Sequence, residues 1–293
     1  MIPLRFDNVV RSFGGRRVLD GASGRAEAGR VVGLLARNGE GKTTLLKALL
    51  DLVAVESGDI EVLGLRPDGS GDIRQRAGYV PERPVFHSFM DVGGVLALRA
   101  RLFRNWSAPR AAALAARLGL DLGARVEGAS KGTLGKLAWV CAAAHDPALY
   151  LLDEPTSGLD ALVREEVLSG LVSELSDSGK TVLVTSHRMD ELASLLDEVW
   201  VLAGGRIAAT YALDDLRASA RVVSGRLKEG GAVPQAAGAL ALDSSSPVRA
   251  WAVFDDEARD RLLAAGGLDA PAVEPLPVDQ ALTYLLKHHG GDR

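Results

Sequence analysis

The chain has 293 residues, with 34 Lys+Arg against 38 Asp+Glu and a formal net charge of -4. That length fits one large domain or two of ordinary size, and the acidic balance argues against nucleic acid as a partner. Composition is globular, at 47% hydrophobic and 25% charged, yet a mean hydropathy of +0.10 means that membrane burial must be tested first.

No apolar run approaches the roughly 20 residues of a spanning helix. The best, Leu137 to Ala144, stops at His145-Asp146. The first residues, MIPLRFDNVVRSFGGRR, carry charges inside their apolar stretch and do not read as a signal peptide. The single cysteine, Cys141, excludes an internal disulfide and reads as a buried small hydrophobe. These features predict a cytoplasmic chain that reaches any membrane through a partner.

In chain order, Leu4 to Val10 reads as a strand and Val31 to Leu35 as a buried one. A helix is predicted from Thr43 to about Val53, then strands at Ile60 to Leu63 and Ala77 to Val80. From about Phe86 to Ala144 the pattern is helical, with Pro109 well placed at a helix start. Strands return at Leu149 to Leu152, Thr181 to Thr185 and Val199 to Leu202, with an amphipathic helix at about Ala161 to Leu175. The alternation predicts an α/β fold: a largely parallel, helix-covered sheet carrying a helical insertion. After about Ala220 small residues dominate, and the pattern predicts a strand at Pro247 to Phe254 and helices at Asp255 to Ala265 and Pro277 to His288. This tail reads as a small α+β extension. Its adjacent His288 and His289 face apart on a helix and read as a frayed end rather than a metal site.

The strongest local signal is the run from Gly33 to Thr44, where an apolar strand enters a small-residue loop and Gly-Lys-Thr-Thr opens a helix. Amides of Asn38, Gly39, Glu40, Gly41, Lys42 and Thr43 can converge on phosphate oxygens at the helix N-terminus, with Thr44 behind them. In this reading Lys42 contacts the β- and γ-phosphates of ATP, and the Thr43 hydroxyl ligates Mg2+. The usual pattern opens with Gly, and here Ala36 stands in its place. Its methyl group is tolerated only if that residue does not need a positive φ.

A second apolar strand ends in Asp153-Glu154-Pro155. Buried in the same sheet, it puts Asp153 at the carboxyl edge beside the phosphate loop, where ligands bind in open α/β sheets. Asp153 is then the Mg2+ carboxylate and Glu154 the general base for water. Guanine readout is unsupported: Asn occurs only at positions 8, 38 and 105, and none opens an Asn-Lys-x-Asp element.

The remaining motifs are Ala129-Ser130-Lys131-Gly132-Thr133, then Leu-Leu-Asp-Glu-Pro-Thr-Ser-Gly-Leu-Asp ending at Asp160, Thr185-Ser186-His187, and Ser12-Phe13-Gly14. In this order, behind a phosphate loop, they resemble the ATP-binding cassette (ABC) family over about residues 1–218. The resemblance implies a P-loop NTPase cassette with a RecA-like core, an antiparallel β subdomain and a helical subdomain at about 86–139, followed by the extension at 219–293. It implies ATP hydrolysis by two cassettes meeting head to tail, a homodimer or a heterodimer with a related ABC subunit. Ser130, Lys131 and Gly132 of one copy would face the nucleotide of the other, and Asp160 would act across the dimer. His187 would contact the γ-phosphate, and Phe13 would stack on adenine.

Two departures stand out. Glu82 occupies the place of a Gln that senses Mg2+ and water, and a carboxylate adds charge and cannot donate a hydrogen bond. The signature is eroded at Ala129, Thr133 and Gly135. Slow hydrolysis with preserved ATP binding is expected. The S-K-G signature, Gly78-Tyr79-Val80-Pro81-Glu82 and the extension look most like bacterial ABC-2-type exporters, whose membrane subunits are separate chains. A transport subunit would dock near Glu82 to Met90, holding the chain at the inner face of the cell membrane. A slow regulatory or assembly ATPase, or a soluble non-transport ABC protein, stays open as an alternative.

Overall fold

The computed structural model describes residues 2–158, 164, 165, 167–169, 179–186, 192–229, 233–243 and 248–290. Strands β1 (Leu4–Phe13) and β2 (Arg16–Ala26) form an antiparallel hairpin, and β4 (Ser57–Val62) pairs with the other edge of β1. The main sheet has six strands: β3 (Val31–Leu35), β5 (Ala77–Val80), β6 (Leu149–Asp153), β7 (Thr181–Thr185), β8 (Glu198–Ala203) and β9 (Arg206–Ala212). Their order is β5-β6-β7-β3-β8-β9; only β9 runs antiparallel to its neighbour.

The central strands are buried on both faces, so they read as continuous apolar runs, yet their side chains still alternate. Val32, Leu34, Leu149, Leu151, Leu183 and Trp200 pack with helix α1 (Lys42–Leu49) and the three-stranded sheet. Val31, Leu35, Tyr150, Leu152, Val182, Val184, Val199 and Val201 belong to a second core on the other face. Helix α1 is shorter than the predicted helix, because Asp51 turns into the left-handed region at φ 56 and its carboxylate pairs with Arg74. A short α2 (Asp72–Arg76) leads into β5.

The helical stretch is three capped helices: α3 (Val92–Leu102), α4 (Ala108–Arg117) and α5 (Lys131–Ala143). Asp91, Ser107 and Ser130 each accept a hydrogen bond from the backbone amide three residues on, and Pro109 lies in the first turn of α4 as predicted. Helix α5 buries Leu137 through Ala143, stacking Trp139 on Tyr150 at 5.3 Å between ring centroids.

The tail adds α6 (Leu213–Ser219) and a four-stranded antiparallel sheet, β11-β12-β10-β13, made of β10 (Arg221–Leu227), β11 (Ala239–Asp243), β12 (Val248–Val253) and β13 (Leu268–Pro275). Helix α7 (Asp256–Ala264) covers one face with Ala258 and Leu262. Helix α8 (Val278–Gly290) packs against β8, and its Ala281, Leu282 and Leu285 join the same core as Val199, Val201 and Leu213. The predicted frayed end is helical instead: the Tyr211 hydroxyl and His289 Nε2 lie 3.0 Å apart, and the His288 ring packs on Phe254. Among the described residues no helix is long and apolar enough to cross a membrane.

Candidate active site

Three parallel strand tips stand side by side: β3 and β6 flank β7, with Leu34 opposite Thr185 and Thr185 opposite Asp153. The chain leaves β3 at Ala36 and turns into α1 through Gly39 at φ 81 and Gly41 at φ 104. Gly41 is obligatory on two counts, since its φ is left-handed and a Cβ there would stand 2.9 Å from the Val18 carbonyl oxygen. Ala36 is outside the left-handed region, so its methyl group is accommodated. Its carbonyl accepts a 2.8 Å hydrogen bond from Lys42 Nζ, which folds the lysine over the loop.

Lys42 Nζ also stands 3.4 Å from Glu154 Oε1, with both side chains nearly buried. Thr43 donates to Asp153 Oδ2 at 2.7 Å, and Thr185 donates to Asp153 Oδ1 at 2.9 Å. Asp153 is 1% exposed. Burial raises its pKa above the ordinary carboxylate value; the two hydroxyls lower it in part, and the charges of Glu82 and Glu154 add to the rise. Glu154 leaves the strand at φ 49, a left-handed value held in place because its amide donates to both Thr185 Oγ1 (3.0 Å) and the Thr185 carbonyl (3.1 Å).

A cavity of about 390 Å³ opens over these groups, lined by Val18, Arg37, Asn38, Gly39, Gly41, Lys42, Thr43, Thr44, Glu82, Asp153, Glu154 and Ser157. Most of the residues expected from the loop and the carboxylate pair therefore meet. Glu40 turns away and accepts from the Gly204 amide at 2.8 Å, tying the loop to the β8–β9 turn. Phe13 is 47% exposed, under the Arg11 guanidinium at 4.6 Å, and is not on the cavity wall. Ser130, Lys131 and Gly132 also lie off that wall; Ser130 caps α5 and its hydroxyl is 2.9 Å from Thr133 Oγ1. His187 and Asp160 lie outside the described residues. Val18, Arg37, Ser157 and Thr185 join the site without having been expected there from sequence. Only Thr185 carries a usable signal, a hydroxyl ending a buried strand.

A lysine, two carboxylates and a hydroxyl under a cradle of amides define a phosphate-loop ATPase. Residues 19–157 match the ABC transporter family. The chain is 30% identical over 217 residues to the ABC transporter ATP-binding protein YtrB of Bacillus subtilis, covering 74% of each chain. It is 37% identical over 211 residues to the Nod factor export ATP-binding protein I of Burkholderia lata, covering 70% of this chain and 69% of that one. A solved ATP-binding subunit of an ABC transporter superposes with a TM-score of 0.68 at 28% identity, over 74% of this chain and 92% of the other. The chain belongs to the ABC family and is an ATP-binding, ATP-hydrolysing transporter subunit.

Proposed function

We propose that this subunit drives an ABC-2-type exporter: it binds Mg2+-ATP and works as a head-to-tail dimer of cassettes on the cytoplasmic side of separate membrane subunits. The observation that carries the catalytic reading is the 2.7 Å contact between Thr43 and Asp153 beside the 3.4 Å Lys42–Glu154 pair. One hydroxyl and one buried carboxylate, with no group of three or more His, Cys, Asp or Glu among the described residues placed to cage a metal, suit a cation that keeps its waters and shares substrate phosphates. Mg2+ held by Thr43 and Asp153, with Glu82 nearby, would neutralise charge on the transferred phosphoryl group.

The chain's own residues supply the rest. Amides from Asn38 to Thr43 orient the phosphates. Lys42 exchanges Glu154 for phosphate, which frees the Glu154 carboxylate to take a proton from water. His187 is proposed to orient that water, Phe13 to stack on adenine, and Ser130, Lys131, Gly132 and Asp160 to complete the partner cassette's site. The division into a cassette at 1–218 and an extension at 219–293 belongs to the same reading.

Docking of a membrane subunit is supported by an apolar cleft of about 300 Å³ lined by Tyr79, Pro81, Pro84, Val85, Phe86 and Phe103 among others. The exposed Val85 and Phe89 stand at the predicted segment. The export direction is supported by the name of the Burkholderia relative.

Glu154→Gln in the full chain is expected to keep nucleotide binding and to lower turnover at least about 10²-fold. Unchanged turnover refutes the catalytic assignment. A multi-span membrane protein retained on purification from detergent extract supports the transporter reading; ribosomes or DNA alone would sink it.

A further inference from the structure

A second cleft, of about 280 Å³, adjoins the nucleotide cavity and shares Glu82 and Ser157 with it. Lys131 and Leu134, from the first turn of α5, form part of its wall. Lys131 reaches toward the loop after β6: a Cβ on Gly158 would lie 3.3 Å from Lys131 Nζ and 3.5 Å from its Cδ. Among the described residues Lys131 makes no ion pair within 4 Å. Glu82, across the same cleft, has Arg83 Nε 3.8 Å from its Oε1, and Arg83 is almost fully exposed.

The charges on the nucleotide cavity are unbalanced for a polyanion. Glu82, Asp153 and Glu154 stand against Lys42 and Arg37. A neutral Gln in place of Glu82, as the family pattern expects, would leave two of each sign. The extra carboxylate, a departure, and the cation of the S-K-G signature are 49 positions apart in sequence, and they meet at one cleft.

We infer that Lys131 is the counter-charge of Glu82: the signature ammonium neutralises the surplus carboxylate on the cavity wall, which lets Glu82 stand beside the substrate's phosphates. Toward its own chain's nucleotide Lys131 is thus a positioning residue acting through Glu82, a role separate from its proposed place at the partner cassette's site. This rests on the nucleotide-site reading above and deepens it.

The test is a double-mutant cycle on the full chain: wild type, Lys131→Met, Glu82→Gln and the double variant, with Lys131→Arg as the conservative control. Met keeps the aliphatic stem and the helix propensity, and thermal melts verify that each variant folds. The first readout is the Kd of a fluorescent ATP analogue in EDTA, where no metal offsets the carboxylates. The second is ATP turnover with Mg2+.

Lys131→Met should weaken binding about five-fold when Glu82 is present, the upper end for two partly exposed charges facing each other across a cleft, and less than about two-fold in the Glu82→Gln background. Lys131→Arg should bind like wild type, and turnover should show the same dependence on residue 82. Equal losses in both backgrounds would mean that Lys131 touches phosphate directly, and no loss in either would mean that it does neither; both results overturn the inference. Failure of wild type to bind the analogue would refute the nucleotide site itself, a separate outcome.

Discussion

Thr185→Val isolates the group that joins the two carboxylates of the site. The two side chains have nearly the same shape, so the change removes a hydroxyl from a fully buried position and little else. The Glu154 amide keeps the Thr185 carbonyl at 3.1 Å, so it is not orphaned. The loss is therefore the amide's second bond, to Thr185 Oγ1 at 3.0 Å, and the costlier one to Asp153 Oδ1, 2.9 Å long and charge-assisted when the carboxylate is ionised. Such a bond contributes about 1.5–3 kcal/mol. In a chain of this size that lowers Tm by about 3–12 °C. Removing a donor to the ionised form also pushes the Asp153 pKa further up, in the direction burial has already taken it. The acid limb of the turnover profile should then move to higher pH, because Asp153 must be ionised to hold a cation. Melting curves of nucleotide-free protein and a pH–turnover profile check both effects. The Tm loss should shrink at low pH, where protonated Asp153 no longer needs the donor. A Tm loss that stays equal from pH 8 down to the lowest pH at which the chain folds, or an unmoved acid limb, would refute the reasoning.

Asp153→Asn should separate stability from function. The wild-type carboxyl has a raised folded pKa, so the folded chain binds a proton more readily than the unfolded one, and stability falls as pH rises above 3.8 through the folded value. The nucleotide-free Asn variant should therefore melt higher than wild type at pH 8, with the gap closing toward pH 4, while turnover falls at least about 10²-fold. Gly41→Ala meets both a left-handed φ and the Val18 carbonyl, a combined penalty of at least about 1–3 kcal/mol; a nucleotide Kd within about two-fold of wild type would contradict it. Leu285→Ala removes a fully buried side chain from the core shared with Val199 and Val201, and should destabilise the cassette by about 2–5 kcal/mol in denaturant melts followed by bound nucleotide. An unchanged midpoint would mean that the tail folds apart from the cassette.

The legible parts of this fold are those whose residues are constrained on every side. Val31–Leu35 and Leu149–Asp153 are buried on both faces, and their apolar runs announce them. The phosphate loop is legible because Gly39, Gly41, Lys42 and Thr43 are each fixed by chemistry that few other residues satisfy. Strand β2 is not visible in the sequence: RRVLDGASGRA mixes three arginines with two glycines, and its pairing comes from β1 rather than from an apolar pattern. Strand β13 is exposed at all but its first position and contains two prolines, so only its ladder with β10 makes it a strand. In the helical stretch the period is visible, but the breaks at Asp91, Ser107 and Ser130 depend on caps that compete with the apolar pattern around them. Thr185 is visible only as the start of Thr185-Ser186-His187; its own role is hidden because a threonine ending a strand is ordinary until the topology sets it between Leu34 and Asp153.

The hydropathy that suggested a membrane is explained by where the apolar residues go. Both faces of the main sheet are buried, and a further core lies under α7. Of the large apolar side chains still exposed, Leu52 and Val85 stand at the cleft proposed for the membrane partner, with Phe89 and Leu102 close by in sequence to Val85 and Phe103. The segment from Val80 to Phe86 ties that cleft to the chemistry. Glu82 lines the nucleotide cavity, while Pro81, Pro84, Val85 and Phe86 line the cleft. Prolines on either side of Glu82-Arg83 fix φ at both ends, so the segment has few ways to absorb a displacement internally. The carboxylate wall and the apolar wall of the cleft therefore lie within four residues of each other along the chain.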